Sequence, residues 1–468
     1  MPELLHRLST FHTPFYTAVW KDKKVSTAST YFAEAFPAGK NGTSPQHQAD
    51  GGTVSTSPPS LLLLLIYIII IDGKRRFFLR LRPTRPGRMG KTPPDTERTA
   101  KMMKFICNTQ LLSQSINAAM LAVSPKSTLL ALEGILVRAA VREIALVSYN
   151  LEMGITASME ARVEEPGEII IPAKVFSDIV RRIESDEVTV EADDRCLVQI
   201  TGGVSQFTIL GMTAEEFPEL PTVGEAAGFT MPMATLSSMV DMTRYAIATN
   251  DTKPVQTGCL FELEGGELTV VAVDGFRLAL RREKAEHYQD MRFIVPGKTL
   301  AELLKLMTEE GNVAVEVSRK HILFDMGSCT LVSRLLEGEF LDYRAAIPHE
   351  SSTGVVVNTR ALINSIERTS LLISDRLRSP LRVDFGESVI RMSCSTSIGK
   401  AYDECCCSTT GKLLEMGFNN RFLLDALKNV DTDMVRLELC GPLSPMKVLP
   451  LEGEHFLFLV LPMRLRAE

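Results

Sequence analysis

The chain has 468 residues, 45% of them hydrophobic and 23% charged, and 51 Lys/Arg against 57 Asp/Glu give a formal charge of −6. That length predicts about three domains at ~150 residues each, and the composition excludes a collagen-like, wholly disordered or polytopic membrane chain. The slight acidity gives no hint of a nucleic-acid partner. The 9 cysteines show no framework spacing, and with no secretory signal they point to a reducing compartment, the cytoplasm.

The first 101 residues differ from the rest. They hold 15 Lys/Arg and 7 Asp/Glu, net +8, leaving −14 on 102–468. Ser, Thr, Pro and Gly dominate from Ala38 to Ser60 and from Pro83 to Pro94. Between them Leu61 to Ile71 reads LLLLLIYIIII, followed by Lys74, Arg75 and Arg76. This block is too short for a hydrocarbon layer that needs ~20 residues, and it stands too far into the chain for a signal peptide. Residues 1–101 are therefore expected to be a disordered or non-native extension, with the reading frame opened upstream of Met102 or Met103. The alternative is a membrane-surface or targeting element.

From Met102 onward a module recurs. FICNTQLLSQSINAAM, FTMPMATLSSMVDMTRYA and VVVNTRALINSIERTS align Leu112, Leu236 and Leu362 at spacings of 124 and 126. IIIPAKVFSDIVRRI, FIVPGKTLAELLKLM and MGFNNRFLLDALKNV align Pro172, Pro296 and Asn419 at 124 and 123. EEFPELP and GEFLDYRAAIP put Phe217 and Phe340 123 apart. Three markers sharing one period predict a threefold repeat, with units at 102–223, 229–349 and 350–468.

Each unit has the same grammar, two helical runs separated by short strands. Val188 to Val190, Leu197 to Ile200 and Phe207 to Leu210 read as strands of the first unit. In the second, Val313, Val315 and Val317 alternate with Ala314 and Glu316, a half-buried strand, and Gly265-Gly266 reads as a two-residue hairpin turn. Helical runs are expected at 110–123, 173–184, 234–248, 298–309, 360–373 and 421–429. The class is α+β with mostly antiparallel strands. Periodicity does not choose between beads in series and a closed arc.

The six runs carry ten basic residues, among them Lys174, Arg181 and Arg182, against seven acidic ones, net +3, leaving −17 on the rest of 102–468. An acidic body with relatively basic helices could present a positive lining to a polyanion; solvated helix faces explain the same count. Held through phosphates alone, a nucleic acid would bind weakly and without regard to sequence.

Catalytic motifs are missing. The sequence has no phosphate-cradling glycine loop and no dinucleotide fingerprint. Cys405-Cys406-Cys407 would point to alternate faces of a strand and cannot converge on one ion, so no metal or other cofactor is expected. His287, His321, His349 and His455 are scattered, and Asp193-Asp194 reads as a turn. An enzyme on small or acidic substrates, or a membrane-associated interaction protein, remains the alternative to a binding module. The closing FLFLVLPMRL suits a last core strand, or a tail lining an apolar pocket for a partner peptide.

With these segments in hand, 103–465 resembles the bacterial DNA polymerase III sliding clamp (beta subunit) family. The resemblance rests on MKFICNTQLLSQSINAAMLAVS, IIIPAKVFSDIVRRI, VDGFRLAL, GEFLDYRAAIP and LPMRL, and covers none of 1–101. It implies three clamp-type domains in a half-ring, closed head-to-tail by a second copy into a homodimeric ring of six domains. Helices would line the hole and sheets the outside. Duplex DNA would pass through unread, which makes a non-catalytic processivity factor.

The resemblance further implies a partner pocket between the second and third units. Val273, Gly275, Phe276, Arg277 and Leu278 would form one wall, Leu341 and Ala346 another, and Leu459, Leu461, Met463 and Arg464 the third. Short apolar motifs of the DNA polymerase III catalytic subunit, the clamp loader, other polymerases and repair proteins would dock there. Phe276 stands where the family usually has a polar residue, often histidine, Leu341 stands where it has proline, and three residues follow Leu465. DNA contacts are expected at Lys126, Lys174, Asn250 and Lys253, with Arg181 and Arg182 added by the helix charge. Leu372 and Ile373 match apolar positions of the dimer interface.

Overall fold

The computed structural model describes residues 101–224, 227–250, 252–285, 289–374 and 379–465; the Leu61–Ile71 block and the rest of 1–100 lie outside them. The first unit runs β1 (Lys101–Asn108), α1 (Thr109–Met120), β2 (Gly134–Ala140), β3 (Glu143–Tyr149), β4 (Met153–Glu160), β5 (Arg162–Glu165), β6 (Gly167–Pro172), α2 (Ala173–Val180), β7 (Glu187–Asp193), β8 (Leu197–Gly202) and β9 (Ser205–Leu210). The second runs β10 (Ala227–Pro232), α3 (Met233–Arg244), β11 (Gly258–Glu264), β12 (Glu267–Val273), β13 (Arg277–Lys284), β14 (Met291–Pro296), α4 (Gly297–Leu306), β15 (Asn312–Val317), β16 (His321–Asp325) and β17 (Cys329–Arg334). The third runs β18 (Thr353–Asn358), α5 (Thr359–Thr369), β19 (Leu381–Phe385), β20 (Val389–Thr396), β21 (Gly399–Gly411), β22 (Leu414–Phe418), α6 (Asn420–Lys428), β23 (Met434–Leu439), β24 (Met446–Pro450) and β25 (Phe456–Val460).

The repeat is topological as well as sequential. In each unit the first strand pairs antiparallel with the strand that follows the second helix: β1 with β7, β10 with β15, β18 with β23. Each also has an antiparallel meander whose first strand is flanked by the strand leading into the second helix: β6 beside β2, β14 beside β11, β22 beside β19. Two pairings carry the sheets from unit to unit, β4 with β17 and β13 with β25. The result is one sheet of eight strands and one of twelve, beside a sheet of five.

The sequence markers have physical jobs. Leu112, Leu236 and Leu362 are each the fourth residue of the first helix of their unit, and all are buried. Pro172, Pro296 and Asn419 are the N-caps of the second helices. Where the cap is Asn, its side chain accepts a backbone N–H of the first turn: Asn108 from Leu111, Asn358 from Ala361, Asn419 from Arg421, which satisfies one orphan donor. Phe217 and Phe340 are both buried on the chain that returns across the meander. Gly265 and Gly266 have φ of 61° and 86°, the left-handed pair that a tight hairpin turn requires.

The helices are shorter than their apolar patterns suggest. The run expected at 173–184 ends at Val180, so Arg181 is the C-cap and Arg182 lies beyond the helix. The run expected at 360–373 ends at Thr369, and Leu372 closes a separate 3-10 turn with Ile373 after it. Ala122, Ala246 and Ala248 are buried beyond the ends of α1 and α3, so apolar spacing continues into loops that fold onto the core. The helices proper hold eight basic and five acidic residues, still net +3. In β21, Cys405 is buried, Cys406 exposed and Cys407 half-buried, the alternation a strand imposes; burial raises the Cys405 thiol to about 12.

Candidate functional site

The seam between the second and third units gathers most of the expected pocket residues. Val273 ends β12 and Arg277 begins β13, and the turn between them is fixed by Asp274. Its Oδ1 accepts the backbone N–H of Phe276 at 2.9 Å and of Arg277 at 3.0 Å. Gly275 sits in this turn at φ 90°, where a β-carbon would be strained. Leu278 lies opposite Leu459 and Arg277 opposite Val460. Val273, Leu278 and Leu459 share one apolar cluster with Leu260, Ile294 and Phe340, and Leu341 packs against it. Tyr343 locks the Leu341 segment in place, donating from its hydroxyl to Glu262 at 2.7 Å, while Arg344 reaches the same carboxylate at 2.7 Å.

The tail completes the seam. The Leu461 N–H donates to the Phe276 carbonyl at 2.9 Å, and the Met463 N–H donates to the Gly417 carbonyl at 2.8 Å. Ala346 and Arg464 are exposed, and Ile347, next to Ala346, is the residue that packs on the cluster. A cavity of about 910 Å³ opens against Leu260, Ile294, Leu336 and Phe340 of the same cluster, but none of the expected wall residues lines it.

Arg277 is an internal clamp. Its side chain is 11% exposed. Nε donates to Asp274 Oδ2 at 2.9 Å, Nη1 donates to Asp425 of α6, and the guanidinium lies 4.8 Å from the Phe422 ring centroid and 5.4 Å from that of Tyr245. Burial pushes the Tyr245 hydroxyl well above its usual range. Phe422, Asp425 and Tyr245 were not singled out from the sequence. Phe422 and Asp425 are three apart on the helix that follows the Asn419 marker, which puts them on one face of it but does not point to Arg277.

The basic candidates are exposed but not all free. Lys126 is in the loop after α1 and Lys174 in the first turn of α2. Arg181 and Arg182 share Asp178, at 2.6 and 3.4 Å, so that trio presents one net positive charge rather than two. Asn250 accepts the Thr252 hydroxyl at 2.8 Å, and Lys253 precedes the 3-10 turn Pro254–Thr257.

Leu372 lies beside the β20–β21 hairpin, its Cδ1 3.5 Å from where a β-carbon on Gly399 would be. Leu371, absent from the sequence expectations, is 81% exposed next to it. The edge of β21 from Gly399 to Cys406 has no second neighbour among the described strands, and neither does the outer edge of β9.

Three family models then match in chain order: the DNA polymerase III beta subunit N-terminal domain at 103–221, its central domain at 230–342 and its C-terminal domain at 344–464. The chain belongs to the DNA polymerase III beta subunit family. The beta sliding clamp of Staphylococcus epidermidis is 28% identical over 375 residues, 78% of this chain and 100% of that protein. Among solved structures, the DNA polymerase sliding clamp from Bacillus subtilis matches with a TM-score of 0.76 at 28% identity, and that from Pseudomonas aeruginosa bound to griselimycin with 0.75 at 27%. Each covers 78% of this chain and 100% of its own. Sliding clamps are non-catalytic processivity factors, and membership supplies that assignment here. Among the described residues no group of three or more His, Cys, Asp or Glu could hold a metal ion, and no helix is long and apolar enough to cross a membrane.

Proposed function

We propose that the chain is one half of a closed homodimeric ring that encircles duplex DNA in the cytoplasm and tethers the DNA polymerase III catalytic subunit to its template. Each copy would contribute three domains, 102–223, 229–349 and 350–468, bent into a half-ring. The observation that carries this reading is the shared geometry of the two seams. In both, the last strand of a meander pairs antiparallel with the last strand of the next unit: Gly154 faces Val332 and Leu278 faces Leu459.

In the repeat, the third copies of these positions are Lys400 on β21 and Thr208 on β9, and each lies on an edge without a second neighbour among the described strands. A second copy supplies the missing pairing. Thr208 of one copy would face Lys400 of the other, with Phe207 facing Ala401 and Gln206 facing Tyr402. Leu372 and Ile373, with Leu371, would add the apolar contact of that junction, and Leu372→Asp should yield monomers in sedimentation.

Inside the ring, Lys126, Lys174, Arg181, Arg182, Asn250 and Lys253 would meet phosphates and backbone, giving weak, salt-sensitive binding without base readout. Topology then supplies the retention that the contacts do not. The pocket of Val273, Gly275, Phe276, Leu278, Leu341, Ala346, Leu459, Leu461, Met463 and Arg464, backed by the Arg277 clamp, would take short apolar motifs of polymerases, the clamp loader and repair proteins. The test is loading onto nicked circular DNA with a clamp loader. The chain should stay bound until the circle is cut and then slide off; equal retention on circular and linear DNA contradicts encirclement.

A further inference from the structure

Phe276 projects from the β12–β13 turn with 58% of its surface exposed. Its ring stacks on Phe422 of α6, centroids 5.6 Å apart and planes within 24°. Leu461 is hydrogen-bonded to the backbone of Phe276 and is itself exposed. These three side chains have no hydrogen-bonding atom between them.

The polar side chains of the turn that carries Phe276 are already committed. Asp274 Oδ1 holds two backbone N–H groups and its Oδ2 holds Arg277. Arg277 in turn is held by Asp425 and lies over the far ring. A side chain arriving at the stack therefore meets two aromatic rings that carry no donor or acceptor, on a turn pinned by Asp274.

We propose that Phe276 and Phe422 form a specificity element that selects apolar or aromatic partner residues and rejects amides at the position that contacts them. The inference rests on the pocket reading above and sharpens it. An amide placed there gives up its water without replacement, whereas a thioether or an aromatic side chain gains contact area at no polar cost. Methionine and glutamine are close in length and volume, so exchanging them isolates this term.

The experiment is fluorescence anisotropy on the full chain. The probes are labelled six-residue peptides of leucine, phenylalanine and serine, with methionine and glutamine exchanged at each position in turn. At one position methionine should bind about tenfold tighter than glutamine. That preference should fall to within about twofold in Phe276→His, which places a ring nitrogen at an exposed site, and should shrink in Phe422→Tyr, which adds one hydroxyl at the edge of the second ring. Binding of both peptides without discrimination, or the same preference in the wild type and both variants, overturns the inference while leaving the pocket intact. If no peptide of the series binds, the pocket reading falls and the inference falls with it.

Discussion

The turn before the first seam and the turn before the second are built alike and furnished differently. At the first, Asn150 Oδ1 accepts the N–H groups of Glu152 and Met153 at 3.0 and 2.8 Å, as Asp274 does for Phe276 and Arg277 at the second. Leu151 holds φ 73° where Gly275 holds 90°. Beyond that the chemistry diverges. Exposed Glu152 stands in place of Phe276, and buried Met153 in place of Arg277. Gly154 stands in place of Leu278, and a β-carbon there would come within 2.9 Å of Leu220, so Leu220 fills the space a larger side chain would take. Three ion pairs cross the second seam, Arg277–Asp425, Arg281–Asp431 and Arg282–Glu454, and none between described residues crosses the first. The shared part, the strand register, is what a ring needs at every junction. The divergent part is what a docking site needs at one.

That comparison can be broken by exchange. Leu278→Ala removes a buried side chain from the second seam and should cost about 2–5 kcal/mol in denaturant unfolding. Gly154→Leu, which writes the second seam's residue into the first, should cost about 1–3 kcal/mol through overpacking against Leu220. A stable Gly154→Leu chain that binds a second equivalent of peptide would mean that the first seam is a closed copy of the pocket rather than a plain junction.

Phe276→Glu, which gives the second turn the first turn's residue, should leave stability within about 0.5 kcal/mol because the site is exposed, yet abolish measurable peptide binding in the same anisotropy assay. Lys174→Ala lies away from both seams. It should leave folding and peptide affinity unchanged and lower the salt dependence of DNA binding by about one phosphate's worth, read as the slope of log K against log salt.

What could be read in advance follows from the range of the signals. The three units were legible because Leu112, Leu236 and Leu362 do one packing job and Pro172, Pro296 and Asn419 hold one position, the N-cap of the second helix, so both markers recur at the period of the repeat. The expected pocket walls came from a family resemblance, and the seam explains why residues from 273–278 and 459–463 meet: the strands that carry them are hydrogen-bonded. The Arg277 clamp was illegible because its partner Asp425 is 148 residues distant, and no local pattern encodes that pairing. Helix ends were overshot because Ala122 and Ala246 keep the helical apolar spacing while packing as loop. The passage of sheets across the seams was equally hidden, since alternation shows that a strand is half-buried and not which strand lies beside it.

The most direct measurement is a cross-link between copies, with Thr208→Cys and Lys400→Cys in one chain under mild oxidation. These positions correspond to Val332 with Gly154 and to Leu459 with Leu278, and directly facing β-carbons lie within reach of a disulfide. The account predicts a covalent dimer on a non-reducing gel from this pair, and little from the out-of-register pair Gln206→Cys with Lys400→Cys. A chain that stays monomeric, or that cross-links equally well in both pairs, would contradict the claim that the two seams within the chain are the pattern for the one between copies.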